Sequence, residues 1–444
     1  MLLAAVTWIA GFLLLSGLFY LFVKNRNVAA IAVLVILAAH VYVRPTFFLL
    51  GLDLPHPYHV FGPTVPWNLV VLALTASIVW MLIFLVFHRF SFWNLAPLQS
   101  AFPATSFDIH PQRLLLITSV FTLTGAVFTL YVLAQSGSLA QFMFDVKVAK
   151  ELTGAYALRE VAVLSGVLSI LGVLKATRDS PGPFRLAVTD GRLAFWVLFL
   201  INLFLIFSWG NRYSVAMLAG ALLIGWHFQI NRISLFKLGT VVLTGGIILL
   251  ALRDFRFGAM EEVLGRELYR DYTFWSGVSL SLHLSQFDAF MLALRDAGSV
   301  FPFREGRDFI NGLLSWVPRA LYPDKETFHV GGWFRRVYEP NVINGWPITT
   351  IGSWFVNFGL VGIAFGAAVS GLIVGVMDRA YRNPHLSIWN AAVGSSVALL
   401  MLDGGIGTGF FQRIVLLLIP LYLILIFVQV RSVHASTSVL GIKR

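Results

Sequence analysis

Eleven runs of almost unbroken apolar residues set the pattern of the chain, at 2–23, 27–43, 66–87, 113–134, 158–174, 193–209, 212–230, 236–252, 350–377, 386–402 and 412–430. A helix of roughly 20 apolar residues crosses a ~30 Å hydrocarbon layer, and within lipid only helices and closed barrels satisfy their own backbone hydrogen bonds. The pattern therefore predicts an all-α, polytopic membrane bundle of about eleven helices. The runs at 27–43, 158–174 and 193–209 are short and should stand nearly upright. After the eighth run the pattern breaks. Residues 253–350 carry 11 of the chain's 32 Lys/Arg and 12 of its 21 Asp/Glu. Three regions follow: an N-terminal bundle of about eight helices over 1–252, a large loop over 253–350, and C-terminal helices over 351–444.

Composition agrees with this reading. The chain is 58% hydrophobic and 12% charged, with mean hydropathy +0.81, against about 25% charged residues in soluble domains. Its net charge of +11 does not indicate nucleic acid, because the cations are spread over membrane-flanking segments. The absence of cysteine excludes a disulfide, a thiolate nucleophile and a Cys-type zinc site. The first apolar run lacks a basic leader and a small-residue cleavage site, so it reads as a retained span. One alternating set of short loops holds 15 Lys/Arg and the other holds 6. Cytoplasmic loops keep positive charge, which places the N-terminus outside, the C-terminus inside and the 253–350 loop on the outer face. A loop beyond ~60 residues translocates largely regardless of its own charge.

Several outer residues carry candidate chemistry. His56 and His59 in loop 44–65 have the spacing of a metal pair but no third ligand nearby, so no metal is assigned. Residues 141–160 interleave Phe142, Val146, Ala149, Leu152 and Tyr156 with Lys147, Lys150 and Glu151, the pattern of a helix lying on the interface, an anchor before it is a guide for a lipid substrate. Arg212, in the turn SWGNRYS, either snorkels to lipid headgroups or holds an anionic substrate. Arg253 and Arg256 stand at the mouth of the large loop, Arg319 and Lys325 in VPRALYPDK, and Arg335 and Arg336 after HVGGW. Guanidinium groups bind phosphate in a planar, bidentate way, so with Arg212 these are the candidates for a pyrophosphate. The near balance of charge in the loop predicts that most of them pair with Asp254, Asp308, Asp324, Glu326 or Glu339 instead. Trp316, Trp333 and Trp346 form either an interfacial belt or stacking surfaces for sugar rings. Gly331–Gly332 and Gly345 permit close backbone approach. A helix over 307–317 would align Phe309, Leu313 and Val317, with Asp308 as its cap or an ion-pair partner. No GK pair, HExxH, GxSxG or DxD occurs, and the usual signatures of ATP-driven transport, zinc proteolysis and metal-dependent nucleotide-sugar transfer are missing.

The segments VPRALYPDK, HVGGWFRR and WPITTIGSWFVNFGLVGIAFGAAVSG together resemble the Wzy-type oligosaccharide repeat-unit polymerases of bacterial surface polysaccharide synthesis. The family's Pro-Arg turn falls on Pro318–Arg319 and its apolar-Pro-x-Lys step on Tyr322–Pro323–Asp324–Lys325. Its Pro-Ser/Thr step falls on Pro347–Ile348–Thr349, and its Asn-Phe-Gly-x-x-Gly helix on Asn357–Phe358–Gly359 with Gly362. The match covers residues 304–375; Ser353 stands where the family often has an acid, and elsewhere only the GNR turn at Arg212 and the layout agree. The resemblance implies a GT-C-like O-antigen polymerase of the bacterial inner membrane with a periplasmic N-terminus. It would transfer a growing glycan from undecaprenyl pyrophosphate to the non-reducing end of an incoming lipid-linked repeat unit. It implies no nucleotide, metal or other cofactor; the partners are membrane lipids, a flippase and a chain-length regulator. In that reaction the cations would stabilise the departing pyrophosphate, and Asp288, His329 and Glu339 are the candidate bases for the attacking hydroxyl. Rival readings are an O-antigen ligase using the same donor, a transporter of the lipid-linked sugar, and a non-catalytic scaffold. Transport favours mid-membrane ionisable groups and duplicated halves; the spans hold little beyond His40, and no internal repeat is visible.

Overall fold

The computed structural model describes residues 1–52, 64–94, 107–145, 156–179, 191–209, 212–234, 286–317, 321–323, 326, 330–340, 345–381 and 405–431, with isolated positions between 237 and 265 and between 394 and 398. The described helices are α1 (Leu2–Lys24), α2 (Val28–Leu49), α3 (Trp67–Asn94), α4 (Pro111–Ser136), α5 (Leu139–Phe144), α6 (Tyr156–Asp179), α7 (Arg192–Ser208), α8 (Arg212–Gln229), α9 (Gln286–Asp296), α10 (Arg307–Leu313), α11 (Val330–Tyr338), α12 (Thr350–Tyr381) and α13 (Thr408–Val428). Two short strands, β1 (Phe107–Ile109) and β2 (Gln429–Arg431), pair antiparallel with Asp108 opposite Val430. Seven helices, α1, α2, α3, α4, α6, α12 and α13, are long and apolar enough to cross a membrane, and α7 and α8 are shorter apolar helices. The chain is an all-α, multi-pass membrane protein. The expected spans at 236–252 and 386–402 fall mostly outside the described residues, as does the centre of the expected interfacial helix at 141–160.

Several boundaries differ from the sequence reading: α3 runs on to Asn94, and α6, expected to be short at 158–174, is long enough to span as Tyr156–Asp179. α2 continues through a π-helical turn, Ala38–Tyr42, as far as Leu49, so Arg44 lies inside the helix and is buried, not at the start of an outer loop. Pro45 lacks an N–H for the next turn, and the widened turn sits just ahead of it. The helix expected over 307–317 stops at Leu313, leaving Val317 beyond it.

The chain divides into two compact units that alternate along the sequence: Met1–Gln99, Asp271–Arg382 and Leu399–Val415 form one, and Ser100–Arg270, Asn383–Ala398 and Leu416–Arg444 the other. In the first, α12 lies against α3. Gly371 and Gly375 make a small-xxx-small pair of the kind that lets membrane helices touch; a Cβ on either would stand 2.6 Å from the carbonyl oxygen of Phe84 or His88. Ser91 Oγ donates to Leu372 O at 2.7 Å across the same contact. Beyond it Asp378 ties three helices together. It accepts from Ala29 N at 2.7 Å and Ala30 N at 3.2 Å, and pairs with His88 Nε2 at 2.8 Å. It thereby caps α2, whose first amides have no partner within their own helix.

The other end of α12 is broken. Gly359 has φ 65° and ψ −150°, a region essentially reserved for glycine. The carbonyls of Val356 and Asn357 accept from Arg304 N at 2.9 Å and Glu305 N at 3.0 Å. The Asn-Phe-Gly-x-x-Gly sequence is thus a break closed by a neighbouring loop. A Cβ at 359 would have room, 3.5 Å from the Phe303 ring, so backbone strain of about 1–3 kcal/mol sets the penalty for Gly359→Ala. Thermal unfolding in detergent checks this. The variant should melt several degrees below wild type, while Gly220→Ala, in open space on α8, melts at or slightly above it. Equal melting of Gly359→Ala and wild type would exclude the strained backbone.

In the second unit α6 is central, and almost every residue from Glu160 to Ala176 is buried. Its Ser165 Oγ lies 2.6 Å from Thr122 Oγ1 of α4, and Asn202 Nδ2 of α7 donates to Thr122 Oγ1 at 2.9 Å. Such interhelical hydrogen bonds hold helices together where lipid provides no hydrophobic drive.

Candidate functional site

The polar chemistry of the first unit gathers where residues 286–349 meet the broken end of α12. Glu305 (φ 52°) and Gly306 (φ 83°) are both left-handed, and this turn aims Gly306 N at Asn357 Oδ1, 3.1 Å away. Asn357 Nδ2 donates to Asp308 Oδ2 at 3.0 Å and to Ser353 O at 2.8 Å. Arg304 Nε donates to the same Asp308 oxygen at 2.8 Å, and its other arm reaches Glu326. The guanidinium lies over Trp333, 4.3 Å from the ring centre. Burial pulls the Arg304 pKa down, but the hydrogen bonds and charges of Asp308 and Glu326 outweigh it and leave the group above its ordinary value. Arg304, Asp308 and Asn357 are buried, while the Glu326 side chain keeps 31% exposure. The result is a satisfied Arg–Asp–Asn core with one carboxylate at the surface.

A second cluster surrounds α11. Its Val330, Gly331 and Phe334 face inward, and Phe301 meets Trp333 and Phe334 edge-on. Trp346 N donates to Gly331 O at 2.9 Å, and a Cβ on Gly331 would stand 2.6 Å from Trp346 O. The close approach expected at these glycines is therefore made by the chain's own backbone. Arg335 pairs with Glu339 at 2.6 Å and sits 5.4 Å from the Trp346 ring, which also stacks with Tyr338 at 5.5 Å. Tyr338 Oη donates to Asp296 Oδ2 at 2.6 Å. Burial, then the hydrogen bond and charge of Asp296, push the Tyr338 pKa far above the ordinary phenol value, so it remains a donor.

The third feature is a buried ion pair. Asp288 on α9 receives Arg44 Nε at 3.1 Å and 3.4 Å from its two oxygens, and both side chains are withdrawn from solvent. One turn earlier, His40 Nε2 lies 3.4 Å from the side-chain amide of Gln286. The adjacent cavity, lined by His40, Trp80, Thr349 and Thr350 among others, measures about 20 Å³, room for a single water and not for a sugar ring.

The candidates are thus placed as follows. Arg335, Glu339, Trp333 and Trp346 come together around α11, whereas Asp288 stands apart in its pair with Arg44. Trp346 is buried, Trp333 is half-buried under Arg304, and Trp316 is exposed. Arg336 is exposed on α11, and Arg212 opens α8. The Arg212 side chain lies outside the described residues, together with Arg253, Arg256, Arg319, Lys325, His329, His56 and His59. Asp308 is an ion-pair partner, with Gly306 in the capping position. To the candidates read from sequence the structure adds Arg304 and Arg44. For Arg304 a signal existed, since an asparagine at 357 in an apolar helix must bond to something polar. Arg44 and Asp288, 244 positions apart, carry no such local mark. Among the described residues no group of three or more His, Asp or Glu is arranged to hold a metal ion. Compared with protein-family models, curated proteins and solved structures, the chain matches none.

Proposed function

We propose that the chain is a membrane glycosyltransferase of the Wzy type, moving a growing glycan from undecaprenyl pyrophosphate to the non-reducing end of an incoming lipid-linked repeat unit. The observation that carries this reading is the docking of the polar region onto the break at Gly359. Asn357, inside the stretch that bears the resemblance, is the residue that holds Gly306 and Asp308, and through Asp308 the Arg304 guanidinium. Irregular backbone near membrane depth is tolerated only where protein covers it, and here the cover is charged. Orientation has support of its own. Asp378, His88 and Ala29 bring together the helix ends that carry Lys24, Arg26, Arg89 and Arg379. Arg44 and the polar region occupy the opposite ends of α2 and α12. By the positive-inside rule the polar region is periplasmic and the C-terminus cytoplasmic.

In this reading Arg212, Arg253, Arg256, Arg319, Lys325, Arg335 and Arg336 supply the pyrophosphate contacts, and the base is drawn from Asp288, His329 and Glu339. The test gives purified protein synthetic undecaprenyl-pyrophosphate repeat units without nucleotide or added metal. A ladder of products on the lipid carrier is expected. Transfer only to a lipid A core would make the chain a ligase, and movement across the bilayer without a new glycosidic bond would make it a transporter. Arg319→Ala and Arg212→Ala should each abolish long chains at normal protein levels; full activity in both removes the pyrophosphate assignment.

A further inference from the structure

We infer that the segment from Val300 to Val317 is an interfacial element seated in the outer lipid leaflet, so that the polar region is held on the bilayer by a helix that does not span it. The two helices α10 and α11 present opposite kinds of face. α11 turns its apolar residues inward and shows Arg336 to the outside. α10 buries Asp308 and Phe309 and leaves its other apolar residues outward. Its Asp308 is inside with Arg304, while Ile310 and Leu313 are 50% and 42% exposed, followed by Trp316 at 64%. Val300 and Phe303, earlier in the segment, are also exposed, at 58% and 39%. Contiguous apolar patches on a protein mark an interaction surface, and each Å² withdrawn from water is worth roughly 25 cal/mol.

Lipid is the occupant because the patch continues a surface that already faces lipid. Phe309 of α10 stacks on Phe358 at 6.0 Å and lies 4.3 Å from Trp354, and Gly306 abuts the Phe358 ring. From Phe358 the exposed apolar row runs along α12 through Leu360, Val361 and Phe365. These contacts fix α10 at the level where the unbroken part of α12 begins. The flanking residues suit that depth: Arg307 is exposed at the start of α10 and Trp316 just past its end, and Arg and Trp are the side chains that settle at headgroup level. α10 is short, so its hold on the bilayer comes from this continuity and not from helical amphipathicity alone. The inference needs the membrane bundle but not the transfer reaction.

The chain has no cysteine, so a single introduced thiol is a unique attachment point. The full-length protein, as Ile310→Cys or Leu313→Cys and with Arg336→Cys as the water-facing control, is labelled with a polarity-sensitive fluorophore. It is then placed in vesicles of phosphatidylethanolamine and phosphatidylglycerol. Labels at 310 and 313 should be quenched several-fold more by lipids spin-labelled near the headgroup than by aqueous iodide, and the 336 label should show the opposite order. Iodide quenching at 310 and 313 as strong as at 336 would put the face in water. Shielding from both quenchers would put it against protein. Either result overturns the proposal. Both probe positions are exposed, so they tolerate substitution, and a wild-type melting temperature in detergent verifies the fold of each.

Discussion

Asp378→Ala should destabilise the first unit by about 3–5 kcal/mol, because it leaves several buried donors without their acceptor at about 1–3 kcal/mol each. The residue is 1% exposed and serves two elements at once. Its carboxylate closes the N-terminus of α2 through Ala29 and Ala30, and it engages His88 where α3 and α12 run side by side. Alanine leaves both amides in a bundle interior that has no water to replace the acceptor. It also takes the carboxylate from His88. Asp378→Asn keeps one acceptor oxygen and should lose roughly half as much, in line with the smaller worth of a neutral hydrogen bond. His88→Ala should also be milder than Asp378→Ala, because the cap on α2 survives. Melting of purified protein in one detergent ranks the three variants. If Asp378→Ala melts with wild type, the carboxylate does not clamp these helices.

This pair also shows which parts of the molecule are legible in sequence. The ends of α1, α4 and α12 fall within a few residues of the apolar runs, since the hydrocarbon layer sets both length and composition. The charge balance of the polar region anticipated that its cations pair internally, and Arg304 with Asp308 and Glu326 and Arg335 with Glu339 are such pairs. What local pattern cannot convey is which distant group satisfies a residue. Asp378 and Ala29 are 349 positions apart, and Arg44 and Asp288 are 244 apart. In sequence Arg44 reads as the exit from a span, because an arginine before proline at an apolar boundary belongs in a loop unless a carboxylate awaits it inside. The break at Gly359 was hidden for a related reason. Glycines spaced by three fit a helical packing face equally well, and only the amides of Arg304 and Glu305, supplied from another segment, make the open conformation affordable. Likewise Trp346 carried the same composition signal as Trp316, yet one is buried beside Tyr338 and the other exposed.

Removing either half of the Arg44–Asp288 pair should be as damaging as losing Asp378, whereas removing both should not. Arg44→Met or Asp288→Leu alone strands a charge in the interior, at about 3–5 kcal/mol each. The double variant Arg44→Met/Asp288→Leu replaces the pair with apolar groups of similar volume, and such replacements are often neutral or stabilising because two ions no longer have to be desolvated. A double-mutant cycle on melting temperature should therefore show strong coupling, with the double variant near wild type and both singles well below it. The same protein separates packing from chemistry. Asp288 is a candidate base for the acceptor hydroxyl, yet it is 1% exposed and already engaged by a guanidinium, and a base must come within hydrogen-bond reach of the proton it removes. The expected outcome is a stable double variant that still elongates glycan on the lipid carrier, which would leave His329 and Glu339 as the candidates. A double variant that melts with wild type and makes no product, while the wild-type protein elongates in the same assay, would instead make Asp288 the base and Arg44 its positioning residue.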